Sequence, residues 1–244
     1  GDHRDLHRLI RRQRQMCIRD RPCTLRSVTK YFIDPSVGAV STLIQPLQED
    51  TLETTYRTYY NTIRLAESKA HSTPIHNGAL IAYRKALLNA IGGLPEYTGN
   101  NDSTPASIIA FAGYRAIVID DTIVKEPIVE NQAKRKIRRA QHIILGILHA
   151  KQHAKKLGIH KPTTFNKIWQ INAYLHLINP WILATATFLL VLSALQGSLT
   201  AITLFTLGLA LLALRTYRTW ILQQVYLIIA AIRNLWTREI AWSQ

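Results

Sequence analysis

A carboxylate at the head of a predicted helix is the group in this chain best suited to chemistry. Asp102 follows Gly99-Asn100-Asn101 and precedes the segment running to Phe111. A helix N-terminus keeps a carboxylate there ionised and ready to accept a proton. The plainer role is capping, with Asp102 or Ser103 as N-cap. Gly78 and Ala79 carry little or no side chain, which permits close approach of a ligand or simply makes a tight strand entry. Gln132, Arg135, Arg138 and Arg139 group donors and cations that suit anionic oxygens, and equally suit a face turned to lipid headgroups. His142, His149, His153 and His160 lie further on, with His149 and His153 on one helical face at i, i+4. That spacing can bind a metal, but with cationic neighbours and no acid nearby it reads as an exposed basic face. Glu126, before Pro127, reads as structural.

These residues need a scaffold, and the periodicity supplies an α/β one. Val37–Ile44 is β-branched and bounded by Pro35 and Pro46, as a buried strand is. Thr51–Ser72 predicts a helix with an apolar stripe at Leu52, Tyr56, Tyr59, Tyr60, Ile63, Ala66 and Ala70, the tyrosines reading as packing rather than as a sugar platform. Residues 77–82 lead into a second strand, and Arg84–Ile91 is a short helix stopped by Gly92-Gly93. Asp102–Phe111 is a further helix, and Tyr114–Ile119 is a strand ending in a turn at Asp120-Asp121.

Charge divides the 244 residues sharply. The net charge is +15, the hydrophobic fraction 48% and the charged fraction 18%, which excludes a disordered polyelectrolyte. Two cysteines, Cys17 and Cys23, exclude a disulfide scaffold. Residues 22–130 are slightly acidic, whereas residues 131–238 hold fourteen Lys/Arg and no acid. Within that basic part, the 47 residues from Ile168 to Leu214 contain no Asp, Glu, Lys or Arg. A bilayer core takes roughly 20 apolar residues per helix. The run divides at Gln196-Gly197-Ser198 into Ile178–Leu195 and Leu199–Leu214, the second extending through Tyr217 with Arg215 and Arg218 snorkelling. A buried hairpin of a soluble protein is the other reading of so long an uncharged run.

Ten Lys/Arg lie between Lys134 and Lys167, and Arg215, Arg218, Arg233 and Arg238 follow the second span. The positive-inside rule then puts both termini on the cytoplasmic side of a multi-pass protein. Trp220–Leu235 predicts an interfacial helix, and the helical basic segment attracts anionic lipids. No aromatic interleaving or recognition motif points to nucleic acid. Residues 1–21 differ in composition from the rest. Met16-Cys17-Ile18-Arg19-Asp20-Arg21 reads as a translated sequencing adapter, and the alternative is a genuine basic amphipathic helix.

The order of residues resembles membrane-anchored family-2 glycosyltransferases. The series is Asp34-Pro35, Val37-Gly38-Ala39-Val40, Arg64, Glu67-Ser68, Gly78-Ala79, Ala82-Tyr83-Arg84-Lys85, Gly92-Gly93, Asp102, Gly113-Tyr114-Arg115, Glu126-Pro127, Gln132 and Arg138-Arg139-Ala140. The likeness runs from about Leu25 to the C-terminal helices. It implies a partial GT-A fold followed by a transmembrane hairpin and an interfacial helix, a nucleotide-diphospho-sugar donor, a lipid-linked or glycan acceptor, and inversion at the anomeric carbon. It implies Asp102 as catalytic base, with Gly78, Ala79, Gln132, Arg135, Arg138 and Arg139 binding substrate. It also implies a divalent metal, Mg or Mn, held in the longer parent by a D-x-D motif that this chain lacks. The Gln-x-x-Arg-Trp signature is incomplete, since Lys136 follows Arg135.

The expected organisation is therefore residues 1–21 as artefact, 22–133 as the C-terminal half of a GT-A domain, and 134–167 as a basic juxtamembrane segment. Residues 168–218 form two transmembrane helices and 219–244 an interfacial helix and tail. With the donor half missing, the fragment is expected to be inactive alone. The competing readings are a non-catalytic scaffold on anionic lipids and a fragment of a processive polysaccharide synthase.

Overall fold

The computed structural model describes residues 24–48, 51–95, 98, 100–126 and 132–237. Residues 1–21 and both cysteines lie outside the described residues. The chain is mixed α/β and mostly helical, built on a three-stranded sheet of order β2-β1-β3. The central strand β1 (Val37–Pro46) is buried from Val37 through Ile44, as an unbroken β-branched and small-residue run requires. It pairs antiparallel with β2 (Ile81–Tyr83), Val40 opposite Ala82, and parallel with β3 (Arg115–Glu126), Val40 opposite Ile117. The parallel pair needs a long crossover. Helices α2 (Leu52–Ala70), α3 (Lys85–Ala90) and α4 (Ser103–Phe111) lie within it. A short α1 (Thr24–Thr29) and a 3-10 turn precede the sheet.

The expected turn at Asp120-Asp121 does not end β3. Pairing jumps from Thr42 opposite Ile119 to Leu43 opposite Ile123, so Asp120, Asp121 and Thr122 form a bulge and the strand continues to Glu126. Asp121 is held there by Lys30 and by the Tyr31 hydroxyl, which donates to Oδ2 at 3.1 Å. The outer edge of β3 is closed by side chains: Val118 N–H donates to Ser68 Oγ and Ala116 N–H to Ser72 Oγ, both at 2.9 Å.

Helix α2 buries its polar face more deeply than its expected stripe, of which Tyr56, Tyr60 and Ile63 are half-buried. Its buried residues are Glu53, Arg57, Asn61, Arg64 and Ser68, while Leu52 and Tyr59 are exposed. Every residue of α4 is buried, and Ile108, Ile109 and Phe111 pack with Ala39, Ala116 and Phe165. Full burial contributes about 1.5–3 kcal/mol for each large side chain.

The basic segment is less exposed than its charge implies. Helix α5 (Gln132–Lys156) packs one side on α4 and the other on α9 (Arg215–Arg233). Ala140 and Ile144 meet Leu227 and Ala230 there. His153 Nε2 reaches the Ile91 carbonyl oxygen at 3.2 Å, so the histidine face is not simply solvated. Beyond Gly158, α6 (Thr164–Ala173), a π-helical turn (Tyr174–Ile178) and α7 (Asn179–Leu195) form one 32-residue helix. It is long and apolar enough to cross a membrane.

A turn at Gly197 leads to α8 (Leu199–Leu211), which stops short of the expected Tyr217. Helix α9 leaves it at 104°, so a second span exists only if that bent pair counts as one. Thirteen residues reach about 20 Å, less than a bilayer core.

Candidate active site

Asp102 sits at the mouth of the buried helix α4. Its Oδ1 accepts hydrogen bonds from Ser103 N–H at 2.7 Å and Ser103 Oγ at 3.2 Å, so it does cap the helix. Its Oδ2 faces Gly78, where an added Cβ would stand 2.7 Å from that oxygen. Only glycine leaves that approach open. Tyr83 Oη fixes the backbone by donating to the Asp102 carbonyl at 2.6 Å. Burial pushes the Asp102 carboxyl above the ordinary carboxylate range, against the Ser103 hydrogen bonds and the Arg64 charge. The helix end therefore does not dominate as the sequence led us to expect. A carboxylate displaced toward neutrality is a better proton acceptor for a hydroxyl.

A buried polar shell stands behind Asp102. The His76 N–H donates to Ser103 Oγ at 2.9 Å, and His76 Nδ1 lies 2.8 Å from Ser41 Oγ. Burial, then the Arg64 charge, push the imidazole down to about 3, so it is neutral at physiological pH. Arg64 Nη1 donates to Asn77 Oδ1 at 2.6 Å, and Asn77 Nδ2 donates to the Thr42 carbonyl at 3.3 Å. Arg64 Nε is buried and has no hydrogen-bond partner. Glu67 accepts from Thr73 Oγ1 and Asn172 Nδ2, each at 2.6 Å, while burial raises its carboxyl. Sequence reasoning assigned no role to Arg64, Glu67, His76 or Asn77. The 4-4-3-4 spacing of Glu53, Arg57, Asn61, Arg64 and Ser68 was a signal for Arg64, and both Arg64 and Glu67 stood in the series that carried the resemblance.

A second cluster gathers the cations. Glu126 Oε2 lies 3.2 Å from Arg135 Nη2 and 3.9 Å from Nη2 of both Arg57 and Arg139. Glu53 takes Arg57 Nε at 2.9 Å and Lys136 Nζ at 2.8 Å. The Tyr56 ring lies beside both Arg57 and Lys136. Among the described residues two carboxylates thus serve four cations. Burial, reinforced by Arg57 and Arg135, lowers the Arg139 guanidinium to about 10. Gln132 and Arg135 border a small cleft with Glu53, Arg57 and Glu126.

The structure thus brings Gly78 to Asp102, and Arg135 and Arg139 to Glu126. Arg138 is half-buried on the same helix, and Ala79 is half-buried beside Gly78. A cavity of about 550 Å³ lies elsewhere, among Lys30, Tyr31, Arg115 and Asp120. Among the described residues no three His, Cys, Asp or Glu side chains are grouped to hold a metal. Asp102 Oδ1 is committed to Ser103 and Glu67 to Thr73 and Asn172, so the described donor set does not fit one.

A family model described as Glycosyl transferase family 21 matches residues 16–244, beginning inside the 1–21 segment. A solved mannosyltransferase from Pyrobaculum calidifontis, in complex with GDP-Man and Mn2+, is similar at 41% sequence identity and a TM-score of 0.75. The match covers 88% of this chain and 59% of that one. Among curated proteins none matches.

Proposed function

Because the chain belongs to glycosyl transferase family 21, we propose that it is the C-terminal part of an inverting GT-A glycosyltransferase working at the cytoplasmic face of a membrane. The donor is a nucleotide-diphospho-sugar, with a GDP-sugar favoured by the GDP-Man that the similar mannosyltransferase binds. The acceptor is a lipid-linked or other glycan hydroxyl. The observation that carries this reading is Asp102 Oδ2, held at a buried helix end and approached so closely by residue 78 that only glycine fits there.

In the transfer, the acceptor hydroxyl gives its proton to Asp102 as its oxygen bonds to the anomeric carbon. The bond from that carbon to the diphosphate breaks on the opposite face, inverting the centre. The leaving diphosphate gathers negative charge, which Arg135, Arg138 and Arg139 offset with Gln132 as a hydrogen-bond donor. A divalent metal would serve the same charge, but the described residues do not group to hold one, and no step here runs through it. Its ligands and the donor-binding half belong to the part of the parent outside this chain, as the 59% coverage supports.

The apolar helix of residues 164–195 supports a membrane anchor. We place α7 and α8 as a hairpin with its uncharged turn away from the cytoplasm, and the basic ends of α5 and α9 on the cytoplasmic side among anionic lipids. The test is Asp102→Asn in the full-length parent. Asparagine still caps the helix but cannot take the proton. Turnover should fall roughly a hundred- to ten-thousandfold, and retained turnover refutes the base assignment.

A further inference from the structure

Asn172, two residues before the π-helical turn in the long apolar helix, is only 6% exposed. Its Nδ2 donates to Glu67 Oε1 at 2.6 Å. It is the side chain through which that helix hydrogen-bonds to α2 beside the candidate active site. The other Glu67 oxygen receives Thr73 Oγ1, also at 2.6 Å. Thr73 opens the segment of residues 73–78, which is held on its α2 side by Glu67 and, three residues earlier, by Arg64 through Asn77. The far side of the same segment touches the catalytic group. His76 binds Ser103 Oγ through its backbone N–H, and Gly78 lies against Asp102 Oδ2. A continuous set of short hydrogen bonds and one close packing contact therefore leads from the base of the membrane helix to the carboxylate. Asn172 is anchored in turn, since His176 Nδ1 in the π-turn lies 2.8 Å from its carbonyl oxygen, and π-turns recur where a helix serves function.

We propose that Asn172 is a positioning residue for sugar transfer: by fixing Glu67 it sets the 73–78 segment, and so the distance between Asp102 and the acceptor, from the seat of the apolar helix. Asn172 touches no substrate and holds no proton in the reaction. The inference rests on Asp102 being the base. It gives the membrane helix a part in catalysis beyond anchoring, because the helix must be seated for the segment to be in register.

Displacement of a reacting group by an ångström costs up to about a hundredfold in rate, so Asn172→Ala should lower kcat ten- to a hundredfold while leaving the donor KM unchanged. Asn172→Asp sets a second carboxyl against Glu67 and should lower kcat further. The deciding variant is the polarity swap Glu67→Gln with Asn172→Asp, which keeps one hydrogen bond and the net charge with donor and acceptor exchanged. We expect it to recover most of the kcat lost in Asn172→Asp, measured on the full-length protein in membranes. The inference is overturned if Asn172→Ala turns over at the parent rate. It is equally overturned if the swap stays as slow as Asn172→Asp, which would reduce Asn172 to a structural residue. Asp102→Asn, assayed alongside, separates the two readings. If it is inactive while the Asn172 variants are normal, the positioning role alone fails; if it turns over, the base assignment fails.

Discussion

Gly78 shows how one missing side chain can decide a site. A methyl group there would meet Asp102 Oδ2 at 2.7 Å, nearer than any tolerated contact of a Cβ atom. The carboxylate cannot retreat freely, because Oδ1 is committed to Ser103 and Tyr83 clamps the backbone carbonyl. Gly78→Ala should therefore cost the parent enzyme about a hundredfold in kcat while leaving the fold intact, since Gly78 is exposed; kinetics with a thermal melt distinguish the two effects. Burial also gives the activity a pH signature. As the proposed base Asp102 must be ionised to act, and its carboxyl is raised above the ordinary range, first by burial. Activity should rise with pH through that raised value, and the acid limb of a kcat profile measures it. Removing the Arg64 charge, which opposes the shift, moves the limb further up. Sequence reasoning singled out Asp102 and Gly78 from their types and order, and the structure brings the two together. That reasoning misjudged which force sets the charge of Asp102, because the depth of a helix end is a tertiary property.

At the scale of elements, α2 is the most instructive. Its sequence offers two helical faces, one aromatic and one polar, and the simplest rule buries the aromatic one. The structure buries Glu53, Arg57, Asn61, Arg64 and Ser68 instead, because each has a specific task. Asn61 Nδ2 satisfies the Ile44 carbonyl at 2.9 Å, Ser68 satisfies the β3 edge, and Arg64 and Glu67 hold the 73–78 segment. Such a face looks solvated in sequence because its partners are far along the chain. Glu53 is the element's main electrostatic support. Burial raises its carboxyl, but Lys136 and Arg57 more than reverse this and hold it below the ordinary value. A carboxyl depressed in the folded state stabilises above its unfolded value, and that contribution is lost as pH falls through the depressed one. Glu53→Ala strands Arg57 and Lys136, at a cost of about 3–5 kcal/mol. A denaturation midpoint should drop accordingly at neutral pH, with the difference shrinking in acid. The strand β1 and helix α4 were legible because their burial follows from apolar content alone, whereas the bulge at Asp120-Asp121 depends on distant Lys30 and Tyr31.

Across the whole molecule, the charge boundary in the sequence became a boundary in space, although not the one expected. The fourteen basic residues of 131–238 do not form a simple lipid-facing coat. Arg135, Lys136 and Arg139 turn inward to Glu53 and Glu126, and α5 is wedged between α4 and α9. The outward apolar surface is concentrated on α7 and α8, where the buried residues are Pro180 and Ala201 and large side chains such as Phe188, Leu189, Leu204 and Leu207 are exposed. An apolar surface of that extent is costly in water and at home in lipid. Helix α8 is too short to cross alone, and α9 turns by 104° to lie on α2 and α5. In the proposed hairpin the chain returns to the side it left, which keeps the cation cluster and the basic helix ends together. Single cysteines placed at Lys161, Ser198 and Thr237 in the parent test this arrangement with a membrane-impermeant thiol reagent. Lys161→Cys and Thr237→Cys should label together from the cytoplasmic side, and Ser198→Cys should not. If Thr237→Cys labels only from the opposite side, the number of crossings is odd, the C-terminus lies outside, and the hairpin is wrong. If all three label from the cytoplasmic side, the apolar hairpin lies outside the bilayer and is covered by protein instead.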